Sequence, residues 1–341
     1  MKLLSPFSLA LLKLKNRVVM PPMCMYKAEE DGEVTDFHLT HYGARAIGGV
    51  GLIIVEATAV EARGRISDND LGLWDDEQIA GHQKLVTLCQ SLGSKMAIQL
   101  AHAGRKSLCE KSTPIAPSSL LFCESGGFKL PHALHGNEIQ TLKTTFVEAA
   151  VRAQEAGYDI IELHAAHGYL LFEFLSPLTN LRSDAYGGSL INRCKLVLEI
   201  CQSILEATEI PLMVRVSGDE WCEGGWNIND TLYLTKELKA LGVSCMHLSS
   251  GGNHAVQPLM PELKPFYQSH FAKEIKQKIS IPTIAVGLIT TADEGESLLE
   301  NDTCDLVAYG RELLRNPNFV HFSARDAGEK ELIESAYVRA F

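Results

Sequence analysis

The sequence has no apolar run near the roughly 20 residues a helix needs to span a bilayer. It has no CxxC pair either, although nine cysteines occur, at 24, 89, 109, 123, 194, 201, 222, 245 and 304. Their odd number and irregular spacing argue against a disulfide framework or a cysteine-built zinc site, and make a reducing cytosol the expected compartment. No low-complexity segment, charge block or linker rich in Pro, Gly or Ser interrupts the chain. Neither GxGxxG nor GxxxxGK[ST] occurs, so the glycine-rich turns of nucleotide-binding open sheets are missing. Positive charge is also in short supply: 31 Lys and Arg against 42 Asp and Glu give a net charge of −11. A general nucleic-acid binder would need a basic face, so no nucleic-acid partner is expected, while a local basic pocket is still allowed. Pro6, Ser8, Lys13 and Lys15 break up the N-terminal MKLLSPFSLALLKLKN. That stretch reads as a short hairpin and not as a targeting segment.

What is present is a globular composition, 46% hydrophobic and 21% charged over 341 residues. This length suits two ordinary domains or one large barrel. Short β-branched runs stand at 17–20, 52–56, 95–100, 159–164, 212–216, 244–248, 283–286 and 306–309. Their near-continuous apolar character suits strands buried on both faces of a parallel sheet. Helical spacing fills 76–92, 137–156, 192–208, 229–241, 267–278 and 291–300, with Asn137, Asn192 and Asn229 as N-cap candidates. Gly93, Gly157 and Gly242 stand where a helix C-terminal glycine is expected. Eight strands alternating with helices predict a (β/α)8 barrel, α/β in class, as a single domain over 1–341. It would carry an N-terminal hairpin and an excursion after the third strand, over 105–136.

Catalytic groups of such barrels sit at the C-terminal ends of the strands. Gly287 and Gly310–Arg311 follow strands 7 and 8, where a phosphate is often bound, and Arg311 offers bidentate hydrogen bonds. His164 and His167 end strand 4 as HAAH, followed by Tyr169. The pair suits a general base, a pair of donors to a carbonyl oxygen, or a satisfied core position. A metal site would need a third ligand, and none is apparent, so no metal is expected. Cys24 follows strand 1 without a recognisable triad partner. Arg215 lies inside an apolar strand, which calls for an anionic ligand or an internal ion pair with Glu56 or Glu162.

Longer segments add a family resemblance. NRVVMPPMCMY (16–26), GLIIVEATAV (51–60), IQLAHAGRK (98–106), HAAHGYLLFEFLSPLTNLRSDAYGGSLINR (164–193), VRVSG (214–218) and GRELLRNP (310–317) cover most of the chain. Together they resemble the Old Yellow Enzyme family of FMN-dependent ene-reductases, and most of all its thermophilic-like subclass. The resemblance implies FMN as cofactor and NADPH or NADH as electron donor. The second substrate would be an activated alkene, and the two would react in turn. It places Pro21, Pro22, Met23, Cys24, Ala57, Gln99 and Arg215 around the flavin ring, with Cys24 adjusting its potential. It places Gly287, Gly310 and Arg311 at the FMN phosphate. His164 and His167 would hold the substrate oxygen, Tyr169 would donate a proton, and Tyr26 would line the pocket. It further implies a homo-oligomer in which Arg339 reaches a neighbouring subunit's site. Cys194 and Lys195 depart from the family pattern, in a helix where the effect is one of packing. Two other functions compete. A dihydrouridine-synthase-like enzyme would show a basic RNA surface. A flavin-storage or sensing barrel would not need His164, His167 and Tyr169 together.

Overall fold

The computed structural model describes residues 1–341. Its strands are β1 (Phe7–Leu9), β2 (Leu12–Leu14), β3 (Val18–Met20), β4 (Leu52–Ala59), β5 (Lys95–Ala101), β6 (Ile115–Ala116), β7 (His132–Ala133), β8 (Ile160–Ala165), β9 (Leu212–Ser217), β10 (Cys245–Ser249), β11 (Thr283–Ala285) and β12 (Leu306–Ala308). The helices are α1 (Asp36–Ile47), α2 (Ile79–Ser91), α3 (Gly136–Glu155), α4 (Leu170–Leu175), α5 (Leu190–Ala207), α6 (Ile228–Leu241), α7 (Ser269–Ile279), α8 (Ala292–Glu300), α9 (Arg311–Arg315) and α10 (Phe319–Asp326). Strands β3, β4, β5, β8, β9, β10, β11 and β12 close, in that order, into one parallel barrel. This is the (β/α)8 barrel that the strand–helix alternation predicts. No helix is long and apolar enough to cross a membrane.

The barrel interior is built in tiers. Twelve residues form an apolar cluster at the start of the strands, among them Leu52, Ala97, Ile160, Met213 and Cys245. Leu9 and Leu14 of the antiparallel hairpin β1–β2 join this cluster and close the barrel from below. Side chains two residues apart on a strand share a face. The next inward tier is therefore polar: Gln99, Glu162, Arg215 and His247, all buried. Above it come His164, Ser217 and Ser249. A second cluster of 69 buried residues lies between the outer barrel face and the helices.

Three expectations need correction. The N-caps are not Asn137, Asn192 and Asn229. His135, Ser189 and Asn227 cap α3, α5 and α6, because each helix begins one or two residues earlier. Ser189 Oγ accepts the Asn192 N–H, and Asn227 accepts the Asn229 N–H. Helix α1 has no counterpart in the sequence reading, since its inner face carries His38, His41 and Arg45. Strand β4 outruns its expected end by three residues, and its pairing to β5 shifts between Val55 and Ala57. That bulge turns Glu56 outward to Tyr42 of α1, and Ala57 faces the mouth.

Candidate active site

The polar tier is wired by Glu162. Its Oε2 accepts from Gln99 Nε2 at 2.6 Å and its Oε1 from His247 Nδ1 at 2.8 Å. Arg215 stands beside them and makes no ion pair. Glu162 is engaged by Gln99 and His247, and Glu56 by Met25 N–H and Tyr42. The buried Nε of Arg215 has no hydrogen-bond partner at all. No direct ion pair to Glu56 or Glu162 forms, although the Glu162 charge still favours the guanidinium, and the Arg215 Nε has no partner within the chain.

Above this tier His164 and His167 meet edge to face, 5.2 Å between ring centroids, and Tyr169 lies 5.1 Å from His164. His164 Nδ1 accepts the Ala166 N–H at 3.3 Å. His167 Nε2 lies 2.7 Å from Ser249 Oγ, and its backbone N–H donates to Ser217 Oγ. His167 has φ 60°, and Gly168 follows at φ 71°. A Cβ on Gly168 would come within 2.3 Å of Asn253 Cα, so only glycine lets this turn nest against the loop after β10. Lys106 Nζ ties the two loops, donating to the carbonyls of His167 and Gly252, and sits 4.8 Å from the Tyr169 ring centre. Burial pushes its ammonium down to about 8.

Burial, and then the Arg215 charge, hold His164 and His167 well below the usual histidine range. Both rings are neutral at pH 7. Burial raises the Tyr169 phenol and the Cys24 thiol, so both keep their protons. Tyr26 lies close to Cys24 and is half exposed at φ 55°, its phenol pushed up to about 12 by burial. Ala57, Asp70 and Tyr169 line a small void together. Asp70 is buried, accepts from Ile66 N–H and from Ser67, and is raised to about 6 by burial.

A larger cavity of about 410 Å³ opens between the ends of β10, β11 and β12. Arg215, Arg311 and Arg315 line it against a single acid, Glu312. Gly287 turns there at φ 143°, where a Cβ would meet Gln268 Cγ at 2.9 Å. Gly310 faces Met23 Sδ and Pro21 Cγ, which brings the segment after β3 to the start of α9. Pro22 is buried in the same segment. An excess of cations, an orphaned guanidinium nitrogen and two glycine turns fit an anionic cofactor of FMN's kind.

Most of the expected site residues thus converge on one end of the barrel. Arg339 does not: it is exposed in the C-terminal segment, whose Tyr337 and Phe341 pack on His321, away from the ends of the barrel strands where the other residues gather. Lys106, Asp70, Ser249, Tyr267 and Gln268 are additional neighbours. Lys106 stood in a segment singled out in the sequence and Ser249 directly follows the strand run 244–248, while nothing in the pattern marked Asp70. His102, also at a strand end, bonds Glu61 and the Gly104 N–H and serves the loop only.

The family model described as NADH:flavin oxidoreductase / NADH oxidase family matches residues 2–326. The chain belongs to that family. It is 48% identical over 340 residues to an NADPH dehydrogenase of Bacillus cytotoxicus, covering 99% of this chain and 96% of the relative. Among solved structures, morphinone reductase in complex with tetrahydroNAD superposes with a TM-score of 0.81 at 29% identity, covering 96% of this chain and 91% of that one. The Old Yellow Enzyme homologue from Zymomonas mobilis gives 0.82 at 25% identity, covering 96% and 93%. The chain spans about half, 53%, of 2-naphthoyl-CoA reductase, a likeness of fold alone at 21% identity and a TM-score of 0.89. As a member of the family it is an FMN-dependent NAD(P)H oxidoreductase of Old Yellow Enzyme type.

Proposed function

We propose that this oxidoreductase reduces the C=C bond of α,β-unsaturated carbonyl compounds and similarly activated alkenes. NAD(P)H and the alkene use one site in turn, in a ping-pong cycle, and residues 1–341 act as one FMN-binding barrel. The observation that carries this reading is the meeting of two buried imidazoles and a phenol beside a buried arginine that makes no direct ion pair. Pro21, Pro22, Met23, Cys24, Ala57, Gln99 and Arg215 would hold the ring system of FMN, and Gly287, Gly310 and Arg311 its phosphate. FMN, when bound, would supply the redox chemistry, hydride transfer between NAD(P)H and the alkene β-carbon.

The chain's own residues bind, orient and protonate. A neutral imidazole carries one N–H. His164 Nδ1 already accepts from Ala166, so its proton sits at Nε2. The His167 Nε2–Ser249 Oγ contact accommodates a donating hydroxyl, the arrangement that leaves the His167 N–H at Nδ1. One N–H from each ring then meets the substrate oxygen and stabilises the negative charge that grows on it. Tyr169, kept protonated by burial, delivers the proton to the carbon next to the carbonyl. Cys24, a neutral thiol, acts as a neighbour that tunes the flavin and not as a nucleophile. Tyr26 lines the substrate side, and Arg339 serves another copy in a homo-oligomer.

Purified protein is expected to be yellow, to bleach anaerobically with NADPH or NADH, and to recolour on adding cyclohexenone. Protein that takes up no FMN overturns the proposal. Bleaching without recolouring by any enone would favour flavin storage.

A further inference from the structure

Away from the active site, three side chains at every third residue converge: His132, His135 and Glu138. The spacing is HxxHxxE. It acquires meaning only from the fold. Strand β7 carries His132 at the end of the excursion, His135 N-caps α3, and Glu138 is the third residue of that helix. Extended backbone turning into a helix brings the three to one face. Glu138 Oε2 accepts the His135 backbone N–H at 2.7 Å, and both carboxylate oxygens lie 3.0 Å from His132 Nε2. The two imidazoles meet edge to face, 5.6 Å between centroids. One ligating atom from each residue lies within 4.8 Å of the other two.

We propose that His132, His135 and Glu138 form a binding site for a divalent transition metal of the zinc class, with water completing the coordination. Two imidazoles and a carboxylate are a donor set that zinc accepts with four-coordinate geometry, whereas calcium and magnesium take all-oxygen shells. Ligand bonds of about 2.0–2.2 Å place tetrahedral donors about 3.3–3.6 Å apart. His132 and His135 are exposed and Glu138 partly so, and rotation of their side chains closes the remaining gap. A bound ion would replace the His132 Nε2 contact with the Glu138 carboxylate. It would tie the returning arm of the excursion to α3. The same excursion carries Phe122, whose ring centre is 4.9 Å from Lys106 Nζ at the active-site wall.

The test uses the FMN-loaded enzyme and Zn²⁺ alone, with bound metal measured after equilibrium dialysis. Wild type is expected to hold one equivalent that is absent from His132→Ala and from His132→Ala/Glu138→Gln. A Cys123→Ser control, which removes a partly exposed thiol, is expected to hold that equivalent. Zinc is also expected to raise the thermal midpoint of wild type and not of His132→Ala. Flavin content and circular dichroism report whether each variant is folded, and His132 is on the surface, outside any helix. Equal zinc in wild type and both histidine variants overturns the proposal. So does an equivalent that vanishes with Cys123→Ser.

Discussion

At the scale of single residues, the proposed site separates holding the cofactor from activating the substrate. His164 and His167 are held by backbone and serine contacts, so truncating them leaves the arginine-lined cavity in place. His164→Ala and His167→Ala are therefore expected to keep FMN and bleach with NADPH, but to lose enone affinity. Their alkene turnover should drop by about 10²–10³, as for other donors to a developing oxyanion. Tyr169→Phe should bind enone normally and lose about 10²–10⁴ in turnover, the usual worth of a positioned proton donor. Stopped-flow measurement of the two half-reactions separates these outcomes. Loss of flavin from either histidine variant would assign the pair a structural role instead. The sequence showed these three residues because they end one strand. It did not show Asp70, whose place beside Tyr169 comes from the path of a loop 99 residues earlier in the chain.

At the scale of elements, the strands were legible and some helices were not. Barrel strands are buried on both faces, so each reads as an apolar run wherever it pairs. Helix α1 hides from the same logic. Its inner face uses Arg45, satisfied by the carbonyls of Leu313 and Leu314, where a periodic pattern calls for apolar side chains. The loops after β11 and β12 were legible because position in a barrel carries meaning. Arg311 is expected to give a charged hydrogen bond to the FMN phosphate, so Arg311→Ala should weaken FMN by about 1.5–3 kcal/mol, or roughly 10- to 150-fold. Titration of the apoprotein with FMN, followed by flavin fluorescence, measures this, and unchanged affinity would remove the phosphate from that loop. Helix α2 makes a different prediction. His82 is fully buried between Tyr158 OH and the Gly72 carbonyl, and burial lowers it to about 4. The unfolded chain protonates this ring near 6.5, so its contribution to stability is whole above that pH and is lost as pH falls toward 4. The loss reaches about 1.4 kcal/mol per pH unit. Burial raises Glu56 to about 7 and Asp70 to about 6, and their effect runs the other way, stability falling as pH rises through these values. A difference between variants isolates the histidine. His82→Gln should be less stable than wild type at pH 7 but lose less stability between pH 7 and pH 5 in urea unfolding. Parallel losses would contradict the assignment.

At the scale of the molecule, the barrel keeps its two ends apart. The hairpin and the twelve-residue apolar tier seal the end where the strands begin. The other end gathers the arginines and histidines, while the −11 net charge belongs to the chain as a whole. Arg339 lies on the sealed side. Its neighbours Tyr337 and Phe341 pack on His321, and His321 shares a cavity with Asn16, Gly49 and Leu92, all of which precede barrel strands. A guanidinium there has no route to the mouth of its own barrel, so any catalytic service must go to a second copy. Arg339→Ala should then raise KM for the enone by about 10- to 100-fold, the worth of one charged hydrogen bond, with bleaching by NADPH unchanged. Mixed with Tyr169→Phe after dissociation and reassembly, it should recover turnover, because the Tyr169→Phe chain supplies the missing arginine to an otherwise intact site. Wild-type KM in Arg339→Ala, or mixtures no more active than the average of the two variants, would show that each barrel works with its own residues alone.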